Sequence, residues 1–207
     1  MYLGIDLGTS EIKTLVIDAA GEIVAASGVK LDVQRPQPHY AEQDPHSWWL
    51  ALEQAIDELR QQAGARWQQI RAIGLSGQMH GAVLLDRENQ VLRPCILWND
   101  TRSAAECEEL TQRATDLHSV AGNLAMPGFT APKLLWVARH EPEIFSRIAS
   151  VLLPKDYLRW QMCGEKISDM SDAAGTLWLD IARRDWSDAL LAACGLNRDQ
   201  MPRLTEG

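Results

Sequence analysis

The chain has 207 residues, of which 46% are hydrophobic and 23% are charged, and its formal net charge is −8. This length suits one large domain or one lobe of a larger enzyme, and the apolar content excludes a disordered chain. The acidic balance argues against nucleic acid or an anionic membrane as the main partner, because both are bound through basic patches. No apolar run reaches membrane-spanning length.

The cysteines and the N terminus point to an intracellular protein. The four cysteines, at positions 95, 107, 163 and 194, form no C-x-x-C pair, and no histidine cluster has metal-ligand spacing. We interpret them as reduced thiols. The first residues lack a basic segment followed by a long apolar run, so a signal peptide is not predicted. We therefore expect a cytoplasmic location.

The first third of the chain predicts three strands and then a helix. The strands are expected at residues 2–7, 12–18 and 22–30, separated by short turns that contain glycine or small residues. Asp44 and Pro45 then form an N-cap followed by proline at the first helical position. Apolar residues recur at helical spacing after this cap, at Trp49, Leu52, Ile56, Leu59 and Ala63.

The rest of the chain alternates short strands with helices. Strands are predicted at 70–76, 82–85 and 151–153, with an extended segment at 91–98. Helices are predicted at 101–117, 133–140 and 187–194, with two more opening at Pro142 and Pro154. This order indicates a mixed α/β fold.

The strongest functional signal is the stretch Gly-Ile-Asp-Leu-Gly-Thr-Ser near the N terminus, followed by Lys13. Gly8 lets the backbone approach a ligand closely, and the amides and hydroxyls of Thr9 and Ser10 can surround a phosphate, to which Lys13 adds a positive charge. Asp6 interrupts an apolar strand, where a carboxylate is costly without a partner, and it could orient hydrated magnesium. The alternative is a plain hairpin turn that Asp6 merely hydrogen-bonds.

This stretch resembles the phosphate-binding hairpin of the actin-like ATPases, which include sugar kinases, actin and the heat-shock chaperones. The resemblance implies an α/β domain of ribonuclease-H-like fold, with a mixed central sheet flanked by helices. It also implies ATP and Mg²⁺ as cofactors. The hairpin by itself does not separate a kinase from a chaperone.

Three later stretches resemble the carbohydrate kinases of the FGGY family: 77–81 (Gly-Gln-Met-His-Gly), 96–102 (Ile-Leu-Trp-Asn-Asp-Thr-Arg) and 154–158 (Pro-Lys-Asp-Tyr-Leu) together with 168–176. The resemblance covers nearly the whole chain. It implies that residues 1–207 are the N-terminal lobe, with helical insertions at about 100–165. The catalytic base, an aspartate, and the adenine pocket would belong to a C-terminal lobe absent from this chain, so we expect the chain alone to be inactive.

Within that family, Gln-Met-His-Gly resembles the pattern of members that phosphorylate D-xylulose to D-xylulose 5-phosphate in pentose catabolism. The substrate contacts that this implies are Gln78, Met79, His80, Trp98, Asn99 and Asp100. A structural role is the alternative for the last three, as a core tryptophan and as caps of the following helix. The stretch 168–176 is expected to support the site without contacting the substrate.

Three other functions stay open at this stage. The first is a kinase of the same family that acts on gluconate, ribulose or fuculose. The second is an actin-like chaperone or filament ATPase, although chaperones lack the Trp-Asn-Asp-x-Arg stretch. The third is a non-catalytic sugar-binding lobe. The sequence is compatible with a homodimer and does not establish one.

Overall fold

The computed structural model describes residues 1–207 and divides them into two units. Unit 1 contains Met1–Val33 and Asp44–Gln78, and unit 2 contains Gln34–Gln43 and Met79–Gly207. The helical insertions predicted at about 100–165 fall inside unit 2. The Gln-Met-His-Gly motif is divided, because Gln78 belongs to unit 1 and the next residues to unit 2.

Twelve strands and eight helices make up the chain. The strands are β1 (Tyr2–Leu7), β2 (Glu11–Ile17), β3 (Ile23–Lys30), β4 (Glu42–Gln43), β5 (Ala72–Gly77), β6 (Val83–Leu85), β7 (Cys95–Ile96), β8 (Ser150–Leu152), β9 (Ile167–Asp169), β10 (Leu179–Asp180), β11 (Asp185–Trp186) and β12 (Arg203–Thr205). The helices are α1 (Pro45–Ala63), α2 (Ala104–Arg113), α3 (Leu117–Ala121), α4 (Thr130–His140), α5 (Pro142–Phe145), α6 (Pro154–Cys163), α7 (Met170–Ala174) and α8 (Asp188–Ala193). None of the helices combines the length and the hydropathy needed to cross a membrane.

Unit 1 is built on a four-stranded sheet with the order β3-β2-β1-β5. The three predicted N-terminal strands are present and pair antiparallel, and β5 runs parallel to β1, so the sheet is mixed. The register places Asp6 between two cross-strand neighbours, Lys13 on β2 and Ser76 on β5. Residues on adjacent strands in register point to the same face, so these three side chains share one face of the sheet.

Helix α1 packs against β2 and β3 on the other face of this sheet. Its predicted cap is confirmed, because the Asp44 side chain accepts a hydrogen bond from the amide of His46 and Pro45 opens the helix. Three of the five predicted apolar positions, Leu52, Leu59 and Ala63, are buried, whereas the helix buries Trp48 and Ala55 in place of Trp49 and Ile56. Both sets of positions alternate spacings of three and four residues, so the helical period alone does not choose between them.

Unit 2 is mainly helical and contains four two-stranded pairs, β4-β7, β6-β8, β9-β12 and β10-β11. These pairs are two or three residues long, too short to show a periodicity in the sequence, and β4 and β9 to β12 were not predicted. The helices enclose one apolar core that includes Leu134, Trp178 and Leu190. Because such a core is closely packed, it fixes the positions of the loops that connect its helices.

Three element predictions in unit 2 were wrong in their bounds. The helix predicted at 101–117 is two helices, because Ala114 leaves the helical region (φ −124°, ψ 81°) before two residues of low helix propensity. Helix α4 begins at Thr130, earlier than predicted, since Pro132 is tolerated in a first turn. The extended segment at 91–98 forms a strand only at Cys95–Ile96.

Candidate functional site

The turn between β1 and β2 is tight and depends on glycine. The amide of Gly8 donates to the carbonyl of Glu11 at 3.1 Å, and the carbonyl of Ser10 accepts from the amide of Leu31 at 2.9 Å. A Cβ atom at position 8 would lie 2.7 Å from the Glu11 oxygen, closer than real Cβ contacts. The predicted hairpin therefore exists, and its turn has a defined backbone.

Gln78 contacts this hairpin within unit 1. The Thr9 hydroxyl donates to Gln78 Oε1 at 3.1 Å, and the Gln78 amide donates to the carbonyl of Leu7 at 2.7 Å. Gln78 is only 6% exposed. The sequence placed Gln78 among the sugar contacts, whereas the structure brings it to the phosphate-binding candidates.

Asp6 and Lys13 line an open depression of about 480 Å³ on the exposed face of the sheet. Ser76 lies beside Asp6 on the neighbouring strand, and all three side chains are exposed. No group of three or more acidic, histidine or cysteine side chains is arranged to hold a metal. One carboxylate beside a hydroxyl fits a magnesium ion held mainly by water and phosphate oxygens, and does not fit an all-protein cage.

In unit 2, His80 is held on three sides. Its backbone is left-handed, with φ of 65°. Its carbonyl accepts from Thr130 Oγ1 at 3.1 Å and from Lys133 Nζ at 2.9 Å. Its ring nitrogen Nδ1 lies 3.0 Å from the carbonyl oxygen of Gly175, and the Phe129 ring packs 4.5 Å from it, measured between centroids.

Burial and charge both keep the His80 ring neutral. Burial lowers the pKa of His80, and the nearby Lys133 ammonium lowers it further, to about 4. The hydrogen bond to Gly175 acts in the opposite direction and is the smallest of the three effects. At neutral pH the imidazole therefore carries no charge.

Met79 and Trp98 present apolar surface in the same unit. Each side chain is 44% exposed. The backbone of Trp98 is closely approached by Gly128, where a Cβ atom would lie 2.8 Å from the Trp98 carbonyl oxygen. Their exposure is suited to contact with the carbon chain of a small ligand.

Asp100 is buried and fully engaged with protein groups. It is 0% exposed, and it accepts hydrogen bonds from the amides of Ala41 at 2.6 Å and Arg102 at 2.9 Å, and from the Arg102 guanidinium. The predicted capping alternative was wrong, because the N-cap of α2 is Ser103. Asn99 is half-buried, and its amide oxygen is covered without a hydrogen-bond partner.

Three residues around His80 were not identified from the sequence: Phe129, Thr130 and Lys133. A fourth, Gly175, lies in the predicted supporting stretch 168–176 but was not singled out. Lys133 carried the clearest signal, because Trp136 and Val137, three and four residues later, place it on the apolar side of the helix. Such a lysine is rarely buried without a specific partner. The stretch 168–176 was expected to support the site, and the structure places its Gly175 beside the His80 ring.

The sequence of residues 1–207 matches the N-terminal domain of the FGGY family of carbohydrate kinases. The chain belongs to this family. It is 59% identical to a xylulose kinase of Escherichia coli over its whole length and 42% identical over 99% of its length to one of Bacillus subtilis. The chain spans about 42% of the length of these relatives. Family membership excludes the chaperone and filament alternatives.

Solved structures agree with the family. A xyloylose kinase from Brucella ovis matches with a TM-score of 0.97 and 57% identity, covering 100% of this FGGY chain and 43% of that protein. A gluconate kinase from Lactobacillus acidophilus matches with a TM-score of 0.92 and 26% identity, covering 99% of this chain and 41% of that one. The predicted ribonuclease-H-like α/β fold with a mixed sheet is thereby confirmed.

Proposed function

We propose that the protein containing this chain transfers the γ-phosphoryl group of ATP to D-xylulose, giving D-xylulose 5-phosphate. The observation that carries the proposal is the arrangement in unit 2, where a neutral His80 is held beside the exposed side chain of Met79, with Trp98 also exposed. This combination offers one polar contact and two apolar surfaces to an uncharged polyol. Identity of 57–59% with proteins named for xylulose supports the choice of sugar.

Unit 1 is proposed to bind the phosphates of ATP. The amides of the Gly8–Ser10 turn and the Lys13 ammonium would hold phosphate oxygens, since charge-assisted hydrogen bonds of this type are strong. Asp6 would hold Mg²⁺ through water, and the ion would supply positive charge that neutralises the phosphates. Gln78 would orient the Thr9 hydroxyl instead of contacting the sugar.

Unit 2 is proposed to bind the sugar. Met79 would pack against the carbon chain, His80 would hydrogen-bond one hydroxyl, and Trp98 would form a wall of the pocket. We assign Asp100 a supporting role, because its oxygens already accept from Ala41 and Arg102. Such phosphoryl transfers depend mainly on positioning and charge neutralisation, so these contacts would supply most of what this chain contributes.

The remainder of the protein is proposed to supply the catalytic base and the adenine pocket. This proposal rests on the length of the relatives, of which the chain spans about 42%. We also propose a cytoplasmic location, supported by the exposed free thiol of Cys163, which would persist in a reducing compartment. A homodimer stays a prediction.

A substrate panel tests the proposed reaction. Release of ADP by the full-length gene product would be measured with xylulose, ribulose, gluconate and glycerol. We expect the highest kcat/KM with xylulose. A higher kcat/KM with gluconate would keep the family and reject the sugar, and a complete lack of sugar-dependent ADP release would reject the kinase function.

A further inference from the structure

The backbone at His80 is in a conformation that must be imposed by its surroundings. Its φ of 65° lies in the left-handed region, which residues other than glycine seldom adopt. Conformations of this kind persist only where neighbouring groups hold them, and they occur often at ligand sites.

Both groups that hold the His80 carbonyl come from α4. Lys133 Nζ donates to it at 2.9 Å and Thr130 Oγ1 donates at 3.1 Å. Lys133 is 0% exposed and donates a second bond, of 2.6 Å, to the carbonyl of Gly128. This burial lowers the pKa of Lys133 to about 7. A buried lysine with only carbonyl oxygens as partners has the contacts of a backbone clamp.

The ring of His80 is oriented by Gly175. A carbonyl oxygen can only accept, so the 3.0 Å contact between Nδ1 and the Gly175 oxygen places the proton of the neutral ring on Nδ1. Nε2 then carries a lone pair and can only accept. Gly175 must lack a side chain, because a Cβ atom there would lie 2.5 Å from Nδ1.

We propose that Lys133 and Thr130 are positioning residues for His80: they clamp its backbone in the left-handed conformation and, together with Gly175, present an unprotonated Nε2 that accepts a hydrogen bond from a sugar hydroxyl. This inference rests on the proposed function and refines it. An acceptor at this position favours a neutral hydroxyl donor, and it gains nothing from a carboxylate.

The first test reads the ring directly and does not depend on turnover. The full-length protein would be labelled with ¹⁵N-histidine, and His80 would be assigned by the signal that is lost in His80→Asn. We expect the Nδ1–H tautomer, with no protonation of His80 between pH 8 and pH 5.5, which lies above its pKa of about 4. In titrations of the wild type and of Lys133→Met that extend below pH 4, we expect the pKa of His80 to be higher in the variant, because the neighbouring positive charge is gone. A Nε2–H tautomer, or an unchanged His80 titration in Lys133→Met, would overturn the proposal.

The second test separates positioning from stability. We expect Thr130→Val to raise the KM for xylulose by about tenfold, the effect of losing one hydrogen bond in the clamp, while the KM for ATP stays unchanged. Thr130→Ser retains the hydroxyl and should restore most of the loss. Thr111→Val is the matched control, because it removes a hydroxyl that donates to the Cys107 carbonyl on α2. Equal changes in Thr130→Val and Thr111→Val would overturn the clamp.

The two tests also separate this inference from the proposed function. If the histidine spectra are as expected and no sugar is phosphorylated, the proposed kinase function is rejected and the positioning of His80 by Lys133 and Thr130 is retained. If xylulose is phosphorylated and Thr130→Val behaves like the wild type, the clamp fails and the function stands.

Discussion

At the residue scale, the orientation of the His80 ring depends on the hydrogen bond that it forms and on the absence of a side chain at Gly175. Gly175 leaves room for the imidazole, and its carbonyl fixes the proton on Nδ1. The Phe129 ring closes another side at 4.5 Å. A small change at any of these positions should therefore act through the orientation of the ring.

Gly175→Ala should displace the His80 ring. The new Cβ atom would lie 2.5 Å from Nδ1, so either the ring or the loop must move. We expect a loss of about 1–3 kcal/mol in the free energy of unfolding, which is typical of overpacking. We also expect the KM for xylulose to rise and the KM for ATP to stay constant in the full-length protein. An unchanged KM for xylulose would contradict this role for Gly175.

His80 should also contribute to acid sensitivity. Its folded pKa, about 4, is below its ordinary value of 6.5, so the unfolded chain binds the proton more readily. The stability that this group contributes is present above pH 6.5 and is lost as the pH falls through 4. Urea unfolding of the wild type and of His80→Asn at pH 7 and pH 4 measures it. The wild type should lose more stability on acidification than the variant does, and equal losses would contradict the lowered pKa.

At the element scale, one lysine joins three elements. Lys155 Nζ, on α6, forms ion pairs with Asp156 at 2.7 Å, Asp169 at 2.8 Å and Asp172 at 3.0 Å. Asp169 also caps α7 by accepting from the Asp172 amide. Burial raises the pKa of Asp156 and of Asp172 even beside the lysine. The cluster holds the beginning of α7, and so the loop that carries Gly175, against α6.

Lys155→Met should destabilise the protein strongly at neutral pH. Removing one partner from a buried ion pair typically costs about 3–5 kcal/mol, because the remaining charges are left without compensation. Lys30→Met is the matched control, since Lys30 is 81% exposed and its ion pair with Glu11 lies on the surface. The control should change the free energy of unfolding by at most about 1 kcal/mol. Denaturant titration compares the two, and equal losses would contradict the structural role of the cluster.

The β1–β2 hairpin gives a second prediction at this scale. Gly8→Ala places a Cβ atom 2.7 Å from the Glu11 carbonyl oxygen, so the turn must open. In the full-length protein we expect the KM for ATP to rise about tenfold or more, because misplaced amides lose hydrogen bonds to phosphate. The KM for xylulose should change little. The reverse pattern, with only xylulose affected, would contradict the assignment of this turn to ATP.

At the scale of the whole molecule, the sequence predicted local secondary structure well, but it did not predict contacts between distant residues. The strands of unit 1 and the start of α1 could be predicted because alternation, turn residues and the Asp44-Pro45 cap act over a few positions. The partners of His80 lie 53 and 95 residues away, at Lys133 and Gly175. No local pattern specifies such contacts. Gln78 shows the same limit. Its neighbours in the sequence suggested a contact with the sugar, whereas in the folded chain its side chain accepts a hydrogen bond from Thr9.

The division of labour between the parts of the protein gives a prediction for the isolated chain. If the base and the adenine pocket belong to the remainder of the protein, residues 1–207 alone should show no xylulose-dependent release of ADP. The full-length product, at the same molar concentration, is the control. Xylulose-dependent turnover by the isolated chain would contradict this division.

The identity of the product tests the proposed phosphorylation of D-xylulose most directly. The full-length protein would be incubated with ATP, Mg²⁺ and D-xylulose, and the products followed by ³¹P nuclear magnetic resonance. We expect D-xylulose 5-phosphate and ADP to appear in equal amounts, and His80→Ala to slow the formation of both together. Formation of ADP with inorganic phosphate and no sugar phosphate, or no reaction at all, would contradict it.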